Sequence, residues 1–572
     1  MTNFGDPPAG QDPFDANAVP TVDPDVQVVG SISAPTVSRS RPWLAIIAAV
    51  AVVVLVGGAA LAMRSFFATS VAAAEVMPPD TEVFISVDFL QFIEGDARKL
   101  NDTIIWMIEA SGEVPTEDLQ DVDGLIGELD RAMQDALNVD FSTDIRPWIG
   151  RTVSLSITGI EGVNDYDGLP EVLLVIESRD AAAADLFLQE FADGLSVSTG
   201  VRVASEEYAG RALFVAEDDF EFDPPLVFGR IDSVVVFGTR EAVVGAINTE
   251  PGSSLADDER FAAVMEQLPS DRVMSMYVDA NAFAGTLEAE GMTSDLVSDY
   301  GMDGVGASLS ITDVGIRADS VVLGEDPTGG IDLDAGSVIN DLPMDTLAMF
   351  GGWSIASLWE AIAATLGGFE TEDLLAEAEA EFGVDLDEFL SLLDGPSAIA
   401  LVRANGGMMA TETGYPIGLE VLLGTSAPAD VEGYVDQLVG DLSEGGVEDL
   451  RKRQLASGSF WVAEIDGTEA AVLGVAGDYL AATSSLGLAD GIGVSPSLID
   501  NDQLQSLAEV MEVDPGSVLF YLDTPGLVDV FEAPGDIASA LAPLGAMAAS
   551  YEVGPSYARG VFVWLIDYVD SE

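Results

Sequence analysis

The sequence predicts an α+β fold: an N-terminal single transmembrane helix followed by a duplicated, mainly antiparallel sheet-plus-helix ectodomain. Three observations predict it. Residues 43–63 (WLAIIAAVAVVVLVGGAALAM) carry no charge, and at 1.5 Å rise per residue they are long enough to cross a bilayer. Beyond them, short apolar runs alternate with turns and occasional helical patterns, the layout of strands in runs with helices between. The same landmarks then occur twice in the same order, which marks an internal repeat.

Residues 1–42 hold Pro7, Pro8, Pro13, Pro20, Pro24, Pro35 and Pro42 among Asp, Ser, Gly and Thr, with no apolar periodicity, so they read as a disordered cytoplasmic tail. Arg39 and Arg41 precede the apolar stretch and Arg64 follows it. That bias favours a cytoplasmic N-terminus and an extracytoplasmic body. The competing reading is a cleaved signal peptide, since Ala72, Ala73 and Ala74 are small. Against it, the apolar run exceeds the usual signal core of about 7–15 residues. Residues 64–76 form a juxtamembrane linker.

Repeat unit 1 spans 77–323, a Gly- and Asp-rich linker 324–340, and repeat unit 2 spans 341–572. Pro79-Asp80-Thr81 before one strand answers Pro343-Met344-Asp345-Thr346 before another. Thr116-Glu117-Asp118-Leu119 answers Thr371-Glu372-Asp373-Leu374, and Val139-Asp140 answers Val384-Asp385. Glu171-Val172-Leu173-Leu174 is matched to Glu420-Val421-Leu422-Leu423. Strands are expected at 83–87, 153–157, 172–176, 213–215, 234–237, 273–278, 306–311, 316–323 and 561–569. Helices are expected from Thr116, with Leu119, Val122, Leu125, Ile126, Leu129, Met133, Ala136 and Leu137 on one face, and at 181–192 and 240–247. Asp88 with Gln91 suggests a capping pair, and Thr524 before Pro525 an N-cap followed by proline.

Composition excludes more chemistry than it implies. The chain has no cysteine and no histidine, which removes disulfides, thiol catalysis, histidine triads, the usual catalytic zinc sites and histidine-ligated haem. Its 99 acids against 21 basic residues give a net charge of -78. Such a surface releases no counterions from nucleic acid, so no nucleic-acid partner is expected. Self-repulsion on this scale is screened at high salt, pointing to adaptation to a saline, cation-rich exterior with diffuse cation binding.

Met77-Pro78-Pro79-Asp80-Thr81 followed by Val83-Phe84-Ile85-Ser86-Val87-Asp88 resembles the opening of the body in a bacterial family known only as domain of unknown function 3352. The resemblance covers about residue 74 to the C-terminus and implies a membrane-anchored extracytoplasmic protein with no assigned activity. It transfers no catalytic residue.

No constellation names a reaction. No phosphate-binding loop, dinucleotide fingerprint or nucleophile elbow is present. Asp332, Asp334 and Gly336, like Asp121, Asp123 and Gly124, are fragments of a calcium loop without its closing glutamate. Asp88, Asp279, Gly351 and Asp523 end equivalent strands, and helix capping accounts for the acids. Arg451-Lys452-Arg453 is the only basic cluster; local charge balance is the simpler reading beside a docking patch for an acidic ligand. No catalytic, cofactor or metal residue is therefore assigned. The expected function is a binding or envelope-organising module without catalysis, its one assigned contact being the membrane through 43–63. The alternatives are a carboxylate-dependent hydrolase of envelope polymers and a carrier for an apolar ligand.

Overall fold

The structure, a computed structural model, describes residues 73–88, 127, 130–131, 133–134, 139–160, 170–217, 225–282, 284, 301–324, 338–359, 385–444, 450–533 and 535–567. The apolar stretch 43–63, both calcium-loop fragments, Gln91 and most of the helix expected from Thr116 lie outside these residues; 127, 130, 131, 133 and 134 of that helix are described and are helical. Among the described residues no helix is long and apolar enough to cross a membrane.

The fold is mixed α+β, dominated by one large antiparallel sheet. Among the described residues ten strands precede residue 325: β1 Val83–Asp88, β2 Ile149–Thr158, β3 Glu171–Ser178, β4 Arg202–Tyr208, β5 Arg211–Glu217, β6 Leu226–Ile231, β7 Val234–Thr239, β8 Met274–Asp279, β9 Met302–Thr312 and β10 Gly315–Gly324. Ten follow: β11 Thr346–Ser354, β12 Gly395–Arg403, β13 Ile417–Gly424, β14 Leu450–Gln454, β15 Gly458–Ile465, β16 Thr468–Ala476, β17 Tyr479–Thr483, β18 Val518–Leu522, β19 Leu544–Val553 and β20 Tyr557–Ile566. The described helices are α1 Ala181–Thr199, α2 Arg240–Asn248, α3 Glu259–Gln267, α4 Leu386–Ser391, α5 Met408–Thr413, α6 Pro428–Glu444, α7 Leu486–Gly491, α8 Asp502–Met511, α9 Thr524–Val530 and α10 Gly535–Leu541.

The pairings join all twenty strands in the order β4–β5–β6–β7–β3–β2–β1–β8–β9–β10–β20–β19–β18–β11–β12–β13–β17–β16–β15–β14. Read inward from either edge, β4 to β10 and β14 to β20 follow the same sequence of neighbours. The two series meet where β10 pairs with β20. At that seam Arg317 of β10 holds buried Asp319 through Nε at 3.0 Å and Nη2 at 3.1 Å, and Arg559 of β20 donates to the same carboxylate at 2.7 Å. Arg317 Nη1 reaches the Val510 carbonyl at 3.0 Å and Glu512 at 3.2 Å, so the ion cluster also ties the seam to the end of α8.

Helices cover both faces of the sheet. On face A, α2 and α3 pack Val243, Phe261 and Val264 against Phe84, Leu173, Val236 and Tyr277. On the same face, α7 and α8 pack Leu488, Leu504 and Leu507 against Met349, Ala400, Leu422 and Tyr521. On face B, α1 lays Phe187, Leu188 and Phe191 over Leu155, Leu174 and Phe237, and α6 sets Val431, Val435 and Val439 against Leu480. Burial on both faces explains why these strands read as continuous apolar runs rather than strict alternation. Local chemistry sets the helix ends: Asp180 accepts from Ala182 N and Ala183 N at the start of α1, and Gly200 closes it at φ 74°, a left-handed conformation that favours glycine.

The structure moves one expected cap. Asp523, not Thr524, caps α9, accepting from Gly526 N at 2.9 Å; Thr524 is already the first helical residue. Strand β6 and helix α3 were not expected from the sequence, which offers β4 as a strand-like stretch around Arg202. β4 is an edge strand with polar residues on both faces, and α3 is too short to build a long apolar stripe.

Candidate functional site

The two strand series differ most at one place. Thr81 Oγ1 donates to Pro78 O at 2.8 Å and Thr346 Oγ1 to Pro343 O at 2.7 Å, which fixes equivalent turns before β1 and β11. Three residues beyond each threonine a row of paired residues crosses face A. In the first series it is Phe84–Ser156–Leu173–Gly238, and in the second Met349–Ala400–Glu420–Thr483. Glu420 therefore stands where the first series has Leu173, not where it has Glu171 as the sequence match suggests. The pairing slips that match by two residues and sets Glu171 opposite Gly418. A side chain at 418 would have to displace its neighbours, since a Cβ there would lie 2.7 Å from Leu488 Cδ1 and from Ser484 Oγ.

Glu420 is 0% exposed and neither carboxyl oxygen has a hydrogen-bond partner. Burial, with the negative charges of Asp341 and then Asp345 added, pushes its carboxyl up to about 8. A carboxyl so placed is neutral near pH 7.

Asp341 lines a cleft of about 700 Å³ together with Asp394, Asp478, Tyr479, Ser426 and Ser457, and several backbone turns at glycine. Tyr479 Oη donates to Asp341 Oδ2 at 2.9 Å. Burial raises the Asp341 carboxyl, the Tyr479 hydrogen bond opposes the rise, and Asp478 adds to it. Asp394 goes the other way: burial works against its charge, but hydrogen bonds from Ser426 Oγ at 2.6 Å and Ser426 N at 2.7 Å hold it low. One cleft thus contains a carboxyl displaced upward from its ordinary value and another displaced downward. Among the described residues no lysine or arginine lines it. Counting back from the matched threonines, Asp341 answers Val76; by pairing, Tyr479 answers Val234. The first series has apolar core residues at these positions.

Two other clefts fit a ligand less well. Asp345, Arg403, Glu469 and Ser485 line one of about 530 Å³. A larger one of about 970 Å³ lies at the seam, but its one cation, Arg317, is already engaged by Asp319, Glu512 and Val510.

The residues singled out from sequence are not brought together. Asp88 is buried against Arg151; Asp279 takes Arg260 at 2.8 Å and Asn281 N at 3.0 Å. β1 and β8 run antiparallel, so these two strand ends point to opposite edges of the sheet. Gly351 sits inside β11. In the basic strand β14, Lys452 is held by Asp436 at 2.7 Å and Glu432 at 3.1 Å and lies over Trp461, and Arg451 pairs with Glu464 at 3.6 Å. Its own acids engage this cluster. Among the described residues no group of three or more acids is placed to hold a metal ion.

The family model for "Protein of unknown function (DUF3352)" matches residues 45–538. The chain belongs to the DUF3352 family. Family membership brings a boundary rather than an activity, and the cleft falls within the matched region. No curated protein matches the chain. Among solved structures, crystal form I of TP0453 is 10% identical, covering 45% of this chain and 80% of that one at a TM-score of 0.22. Crystal form III is 9% identical, covering 44% and 78% at 0.21. At such scores nothing is carried over to this chain.

Proposed function

We propose that this DUF3352 protein is a membrane-anchored, extracytoplasmic binding module. In this reading residues 43–63 are the anchor, the body is duplicated, the first repeat is scaffold, and the second carries the ligand cleft at Asp341, Asp394 and Tyr479. One observation carries the reading: a solvent-open cleft whose described lining holds three carboxylates and no cation, where the first series has apolar core residues at the places of Asp341 and Tyr479. Partly burying a carboxyl beside another carboxylate costs stability, and Asp341 bears that cost at the cleft, which points to use. The lining offers acceptors and no cations, and so suits a ligand rich in hydroxyl or ammonium donors, as envelope polysaccharides and amino sugars are.

Titration calorimetry of the full chain with a cationic amino-sugar oligomer at 0.5 M NaCl tests this. Saturable binding is expected, weakened about ten-fold or more (about 1.4 kcal/mol) by Asp341→Asn with Asp394→Asn. It should be unchanged by Glu190→Gln with Asp193→Asn on exposed positions of α1. Equal loss in both variants would reduce the binding to general charge attraction.

The hydrolase reading keeps one specific support: the opposite displacement of Asp341 and Asp394, the arrangement that separates a general acid from an ionised partner. Its test is release of new reducing ends from the same oligomer, abolished by Asp341→Asn.

A further inference from the structure

Three core positions that are apolar in the first repeat are polar in the second, and they stand together. Val76, Leu173 and Val234 pack in one cluster; Asp341, Glu420 and Tyr479 take their places. The segments carrying Val76 and Asp341 are equivalent: Leu255 N donates to Met77 O at 2.9 Å and Leu498 N to Leu342 O at 2.8 Å. In the second repeat, residues 341–345 cross β13 on face A. At one end Tyr479, paired with Gly424, donates to Asp341 at 2.9 Å. At the other, the backbone N–H of Arg403, paired with Ile417, donates to Asp345 O at 3.3 Å. Glu420 lies between positions 417 and 424. Leu342 of the crossing segment shares a buried cluster with Ala400 and Leu422, the neighbours of Glu420.

Glu420 is thus held under that segment, with both carboxyl oxygens unpartnered among the described residues. The crossing segment brings half-buried Asp341 and exposed Asp345 towards it. On face A, β17 brings Tyr479, and β12 brings only Ala398, Ala400 and Val402. Asp478, in the turn before β17, faces the cleft. The remaining charges on the surrounding elements are engaged elsewhere. Glu469 of β16 accepts from Leu486 N at 2.8 Å, Asp490 of α7 from Ala456 N at 3.1 Å, and Asp500 from Ser497 N at 3.0 Å. Arg403 is held by Asp529 at 2.9 Å. Asp341 and Asp345 are the charges that add to burial in pushing the Glu420 carboxyl up. Carboxyls so placed resist ionising together, and a cation beside Asp341 removes part of that resistance.

We infer that Glu420 is a proton-binding site coupled to the cleft at Asp341, holding its proton while the cleft is empty and releasing it when a cationic ligand settles beside Asp341. The ligand half of this rests on the reading of the cleft given above. In the release step the O–H bond of the Glu420 carboxyl breaks, the proton goes to water, and the ligand's charge offsets the new carboxylate. Ligand affinity therefore rises with pH through the range where Glu420 titrates, with Asp341 as the link. The first repeat lacks the coupling, since leucine and valine fill both places.

Two measurements on the full chain test this. Carbon-13 NMR of the glutamate carboxyls identifies Glu420 as the resonance missing from Glu420→Gln. Without ligand, its titration midpoint should fall by about one pH unit in Asp341→Asn and hold in Asp394→Asn. Tyr479→Phe, which takes from Asp341 the hydrogen bond that favours its charge, should move the midpoint the same way by less. Calorimetry then uses the amino-sugar oligomer with its amines trimethylated, so that its charge is fixed. Affinity should rise about five-fold between about pH 6.5 and about pH 8.5, with proton release, and Glu420→Gln should remove the rise. A midpoint untouched by Asp341→Asn, or wild-type binding with the same pH profile as Glu420→Gln, would overturn the coupling. Absence of any binding would overturn the reading of the cleft instead, and the midpoint alone then decides the coupling.

Discussion

Glu420 concentrates the chemistry of the second repeat in one side chain. Its carboxyl has an ordinary value of 4.5 and is pushed up to about 8 in the folded chain. Below pH 4.5 it is protonated whether the chain is folded or not, and its contribution to stability is fully present. As pH rises the unfolded chain ionises first, and stability falls until the folded carboxyl ionises near pH 8. The total loss is on the order of 3–5 kcal/mol at about 1.4 kcal/mol per unit of displacement. Glu420→Gln should remove this part of the pH dependence, and Glu420→Leu, copying Leu173, should raise the melting temperature at pH 8. Denaturant titrations from pH 4 to 9 check both. A wild-type slope equal to that of Glu420→Gln would mean that the carboxyl ionises freely. The acid is visible in the sequence as the one charge in the run Ile417–Gly424, where both neighbours are apolar. The apparent match to Glu171 disguised it, because two Glu-Val-Leu-Leu strings align better as letters than as strands.

At the scale of elements, most of what packs on two faces was legible. Apolar runs at 153–157, 172–176 and 234–237 fall inside β2, β3 and β7, and 181–192 and 240–247 inside α1 and α2. Strand β6 and the short helix α3 were not, because short segments carry too little periodicity to tell strand from helix. The cleft was not legible either: the β12–β13–β17 pairings bring Tyr479 beside the start of β12 next to Asp394, Tyr479 reaches Asp341 by a hydrogen bond, and no local motif announces such a meeting. The β10–β20 seam was equally hidden, since Arg317 and Arg559 are far apart in sequence. There Asp319 serves two guanidiniums. Asp319→Ala should destabilise the fold by about 3–5 kcal/mol by leaving buried charge unpaired, whereas replacing Arg317, Asp319 and Arg559 together by apolar residues should cost far less. Urea midpoints of the two variants separate these outcomes, and equal midpoints would deny the seam its ion cluster.

For the whole molecule, a net charge of -78 acts on every element at once. The Debye length falls from about 30 Å at 0.01 M salt to about 3 Å at 1 M, so the melting temperature should climb from low to molar NaCl, and a flat or falling curve would contradict salt adaptation. That background is why charge alone cannot define a ligand site here, and why the contrast between repeats matters. The central claim is that one repeat is scaffold and the other holds the cleft. The calorimetric titration with the amino-sugar oligomer tests it most directly when a third variant is added, Asp258→Asn with Asp279→Asn on the first repeat. The account predicts that only Asp341→Asn with Asp394→Asn loses about ten-fold or more in affinity. Equal binding by all variants, or loss confined to the first-repeat variant, would contradict it.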